Sequence, residues 1–148
     1  MKLAEALMLR ADAQKRVQKL RERLNRSVKV QENDAPQELL TELQQTIAQY
    51  RELIQKINRT NAQTIISGEQ TLTDALAERD ALALERGVLD MVIQVAANPN
   101  FRVGRSEIKY VSTVDVAALQ KQVDDLAKHY RELDTAIQQA NWNVDLME

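Results

Sequence analysis

A set of polar residues in this 148-residue chain could assemble into one binding site. Asn58 and Asn61 stand in the phrase Ile57-Asn58-Arg59-Thr60-Asn61, Thr73 and Asp74 open a helix, Arg79 and Asp80 follow, and Asn141, Trp142 and Asn143 close the last helix. In an up-down-up-down bundle these positions share one end, with Arg10 near them. Amides, a guanidinium and an indole gathered there would bind a small polar or anionic ligand. The plainer account is that the same groups cap helices and fix register, as buried asparagines do in coiled coils. The grouping depends on topology. If residues 101–114 cross the full length of a bundle, the last helix reverses and Trp142 leaves the cluster.

Enzymatic chemistry finds little to work with. Helical-bundle di-iron sites use glutamates and a Glu-x-x-His motif on facing helices. His129 is the one histidine, and Leu126 stands three places before it, so no metal site is expected. There is no Gly-x-Ser-x-Gly, and Gly68, Gly87 and Gly104 lie too far apart for a phosphate-cradling loop. Asp124 and Asp125 are adjacent on a helix and diverge by about 100°. The chain has no cysteine, which removes disulfides, thiolate nucleophiles and thiolate-bound metals. No catalytic residue, cofactor or metal is implied.

The elements that must position these groups are helices. A hydrophobic fraction of 44% and a charged fraction of 28% suit a folded domain, and three glycines with two prolines leave few breaks. The expectation is one all-α domain over 1–148: an elongated, antiparallel, coiled-coil-like four-helix bundle. A long loop or short β-ribbon would join helices three and four. Helix one is predicted from about Lys2 to Val28, with Ala6, Leu9, Ala13, Val17, Leu20, Leu24 and Val28 as its seam. Helix two runs from about Gln37 to Thr64 on Leu40, Leu43, Ile47, Tyr50, Ile54 and Ile57. A turn at Ser67-Gly68-Glu69 precedes a capping box, Thr71-Leu72-Thr73-Asp74. Helix four has the most regular seam: Val116, Leu119, Val123, Leu126, Tyr130, Leu133, Ile137, Ala140 and Val144 follow at alternating spacings of three and four.

Helix three, from Leu72 to about Ala97, reads as the most buried. From Ala81 to Ala97 its few polar residues are Glu85, Arg86, Asp90 and Gln94; Arg86, Asp90 and Gln94 continue from Arg79 in one narrow line, and the rest is largely Leu, Val, Ile, Met and Ala. A broad apolar girth here, and another in the first turns of helix one, predict a homo-oligomer. Gly87 within helix three would permit close helix contact. Residues 1–30 carry nine basic and three acidic side chains, so weak nucleic-acid binding through helix one is a second alternative. Five aromatic residues are too few for a stacking platform, which makes nucleic acid the weaker reading. Glu5, Arg10 and Asp12 interrupt the apolar start too early for an export signal or a membrane span, so a cytoplasmic protein with no membrane partner is expected.

The opening Met-Lys-Leu-Ala-Glu-Ala-Leu with Arg10-Ala11-Asp12 resembles small bacterial proteins of a septicolysin-like family. So do Ile57–Asn61, Thr71-Leu72-Thr73-Asp74-Ala75, Arg105-Ser106-Glu107-Ile108, Val114-Asp115-Val116 and Asn141-Trp142. The resemblance spans nearly the whole chain. It implies a cytolysin by label, carries no catalytic roles, and adds Arg105, Ser106 and Glu107 to the candidate polar site. The function expected from the residues is a non-enzymatic, self-associating structural or interaction module, with a binder of a small polar ligand as the alternative.

Overall fold

Helix starts follow local chemistry in the computed structural model, which describes residues 1–28, 36–98 and 113–148. Helix α1 spans Leu3–Ser27, α2 Pro36–Gln63, α3 Leu72–Ala96 and α4 Val116–Asn143; strands β1 (Ile65–Ser67) and β2 (Gln70–Thr71) lie between α2 and α3. Pro36 occupies the first position of α2, where its missing N–H is no loss. Asp115 caps α4, accepting the Ala118 amide at 3.1 Å. Thr71 precedes α3 and Asp74 sits at its third position, the spacing of the expected capping box. Gly68, at φ +56°, turns the β1–β2 hairpin in a conformation that favours glycine. The all-α class holds, and the predicted helices agree with the observed ones within two residues at the ends described. The expected loop or ribbon over 101–112 lies outside the described residues.

The chain forms two compact units, one of Met1–Thr73 with Gln138–Glu148, the other of Asp74–Ile137. In the first, α1 and α2 run antiparallel. Gln14 Nε2 donates to Tyr50 Oη at 2.8 Å, and Arg16, farther along α1, pairs with Glu42, earlier in α2. The two ends of the chain are stitched into this unit. The Leu3 amide donates to the Val144 carbonyl at 2.9 Å and the Leu146 amide to the Met1 carbonyl at 2.8 Å. Lys2 bridges Asp145 at 2.9 Å. Leu3, Ala6, Ile57, Thr60 and Leu72 are fully buried.

The inward line of α2 differs from the expected one. Leu40 and Ile47 are exposed, while Leu39, Thr46, Ile57 and Thr60 are buried. The threonines explain the shift. Thr46 donates to the Glu42 carbonyl and Thr60 to the Lys56 carbonyl, both at 2.8 Å, so each hydroxyl is satisfied within its own helix and the methyl can face the core. Thr60 Oγ1 also accepts the Met147 amide at 2.9 Å, fixing the C-terminal segment. In α1 the last seam position is likewise Ser27, hydrogen-bonded to the Leu24 carbonyl, and not Val28, which is exposed.

The second unit holds most of α3 and α4, tied by Arg79–Asp134 at 2.7 Å and His129–Glu78 at 3.3 Å. Every expected seam residue of α4 is buried or half-buried, with Val123, Leu133 and Ile137 the deepest. Helix α3 overturns its expectation. Its inward line is Ala75, Arg79, Leu82, Leu89 and Ile93, buried or half-buried, so part of the predicted solvent-facing polar line lies inside. Leu84, Val88, Met91 and Val95 point outward and are 72, 55, 66 and 68% exposed.

Candidate functional site

The predicted polar cluster is distributed over both units. Arg10, Asn58, Asn61, Thr73, Asn141, Trp142 and Asn143 belong to the first, and Asp74, Arg79 and Asp80 to the second. Arg10 and Asn61 are half-buried on their helices, Asn141 is buried, and Asn58, Thr73 and Trp142 are exposed. Arg79 is taken by Asp134, a structural role. Among the described residues no buried polar side-chain atom lacks a hydrogen-bond partner, so none is left waiting for a ligand. Arg105, Ser106 and Glu107 lie outside the described residues.

The first unit has an open groove of about 460 Å³ between α1, α2 and the C-terminal residues, lined by Met1, Leu9, Arg16, Leu53, Lys56, Leu146 and others. Among the described residues, none of the predicted cluster lines it. Its cations are already compensated. Lys56 contacts Glu52 at 3.0 Å and Glu148 at 3.2 Å, and hydrogen bonds to these two carboxylates raise its pKa above the ordinary 10.5. Arg16 pairs with Glu42. A site for an anion needs uncompensated positive charge, and these two side chains supply little. Lys2 similarly holds Asp145 below its ordinary carboxylate pKa through a hydrogen bond and its charge. Among the described residues no group of three acidic or histidine side chains is placed to hold a metal ion.

The distinctive surface is the outer face of α3, within the second unit. Ala77, Ala81, Leu84, Val88, Met91 and Val95 recur at alternating spacings of four and three, and all six are exposed. That is the period of a helix seam meeting another helix. Gly87 flanks it, and a Cβ built there would meet nothing within 4 Å. No contact among the described residues therefore requires glycine at this helix-interior position, where it costs about 1 kcal/mol relative to alanine. The sequence carried the signal for this face, since the same residues produced the apolar girth of helix three. What it did not carry was the direction in which the face points.

A model of a family of unknown function, DUF6847, matches residues 10–146. The crystal structure of a functionally unknown conserved protein from Corynebacterium diphtheriae is 42% identical, covers 99% of each chain and superposes with a TM-score of 0.91. No curated protein matches the chain. These findings correct the septicolysin-like resemblance: the matched family carries no such description, and the short phrases that suggested it do not define membership. No helix among the described residues is long and apolar enough to cross a membrane.

Proposed function

The chain belongs to this family of unknown function, and from that premise we propose that it is a self-associating helical protein, a structural or interaction module without catalytic machinery of its own. One observation carries the reading: the most regular apolar line of α3 faces solvent in the single chain while charged Arg79 faces inward. Leaving Leu84, Val88, Met91 and Val95 in water forfeits about 1.5–3 kcal/mol for each that a second surface could cover. A contiguous apolar patch of this kind marks an interaction site. A second chain would cover it without any change to the helices described. Sedimentation velocity and native mass spectrometry of the purified protein at micromolar concentration test this. A discrete multimer of the 16.9 kDa chain is expected. A monomer throughout the concentration series would refute the reading.

A further inference from the structure

We infer that α3 pairs with α3 of a second copy, antiparallel, about a two-fold axis passing between Leu84 and Val88, level with residue 86. The inference rests on the self-association reading and adds the surface, the direction and the register. Folding the outer line back on itself about residue 86 sets Ala77 against Val95, Ala81 against Met91 and Leu84 against Val88 of the other copy. Each alanine then meets a large side chain, and the central layer joins leucine to valine. A two-fold contact requires such self-complementarity, because residue i meets j while j meets i. A parallel pairing would put Ala77 against Ala77 and Ala81 against Ala81, leaving two empty layers.

Charge selects the same direction. The residues flanking the outer line are Glu78, Asp80, Glu85, Gly87, Val92 and Gln94, with no cation among them. In a parallel pair Asp80 would oppose Glu85 of the other copy, twice, and like charges so placed repel. In the antiparallel register Asp80 meets Gln94, while Glu78 is held by His129 of its own α4, which leaves a single like-charge approach, Glu85 to Glu85, beside the axis. Gly87 falls next to that axis on the opposite flank, where an absent side chain lets the two backbones come close. The four large residues of the line are each more than half exposed, so a second copy laid along it takes all four out of water at once.

Spin labels test the register, and the absence of native cysteine makes single-site labelling clean. With Gln94→Cys labelled, the antiparallel register separates the two labels by about 24 Å along the axis, from 1.5 Å per residue. Mixing Gln94→Cys with Asp80→Cys chains should then give a short cross-distance. A short Gln94–Gln94 distance would overturn the inference in favour of a parallel pair. Leu84→Glu, on the exposed face, should dissociate the dimer while leaving the circular-dichroism helix signal intact. A multimer that survives Leu84→Glu would reject α3 as the interface though self-association itself stands, whereas a wild-type monomer would remove the self-association reading first. Glu85→Gln should tighten the dimer several-fold, and a weaker dimer would contradict the placement of Glu85 beside the axis.

Discussion

Helices α3 and α4 share a compact unit and a regular hydrophobic period, yet use it in opposite ways. In α4 the apolar line Val116–Ile137 is turned inward throughout, and its outer faces carry Gln, Lys, Asp, His and Glu. In α3 two lines of the same period run along the helix. The inner one includes Arg79, and the outer one is wholly apolar and exposed. Hydrophobic burial alone would turn α3 over. In the observed orientation Arg79 meets Asp134 at 2.7 Å, and Leu82 with Ala75 lies on the inner face. Regularity of pattern thus marks a face able to meet another helix, and does not say which way that face points.

Truncation separates the two helices most strongly. Ile137→Ala in the buried α4 line should cost about 2–5 kcal/mol in urea unfolding. Leu84→Ala on the outer face of α3 should cost less than about 0.5 kcal/mol under conditions where the protein is monomeric. Equal losses at the two positions would mean that the outer face of α3 is covered within one chain, and the contrast would collapse. Next in size, Arg79→Ala removes a partly solvent-screened ion pair and should cost about 1–1.5 kcal/mol. If α3 kept its orientation for other reasons, that variant would unfold like the wild type. The threonines of α2 offer a smaller comparison in the first unit. Thr60→Val removes the acceptor of the Met147 amide and should cost about 1 kcal/mol, whereas at Thr46, whose hydroxyl bonds its own helix, valine should be close to neutral.

The smallest effect concerns pH. Lys2 lowers the pKa of Asp145 below its ordinary 3.8, so the carboxylate binds fewer protons in the folded chain than in the unfolded one at the same pH. Its contribution is complete above pH 3.8 and disappears as the pH falls through the lowered value. Amide exchange at Leu3 and Leu146, the residues whose amides close the two chain ends together, should accelerate in that acid window more than exchange in mid-α4. Uniform acceleration would show that the Lys2–Asp145 pair does not hold the ends selectively.

Much of the fold was legible because it is local. Helix boundaries follow from Pro36, Asp115, the hairpin glycine and the capping spacing at Thr71 and Asp74, all interactions within four residues. The line of α4 was legible because it contains only apolar residues and tyrosine. In α2 the expected Leu43, Tyr50, Ile54 and Ile57 are buried or half-buried, but Leu39 and Thr46 replace Leu40 and Ile47; threonine counts as polar in a pattern, while in a helix its hydroxyl can be satisfied four residues back. The candidate polar cluster was assembled from helix ends on an assumed topology, and the residues it gathered divide between two units. Nothing near Arg79 in sequence points to Asp134, which is 55 residues away.

By itself, then, the sequence determined an all-α chain, four helices with their ends, and the presence of a second apolar face on α3, since hydrogen bonding and periodicity act over a few residues. The tertiary structure decided which α3 face points inward, which threonines join the core, and that the N- and C-terminal residues close on each other. Those outcomes depend on partners distant in the chain, and a one-dimensional pattern holds no information about which of two equally spaced faces such partners will hold inside.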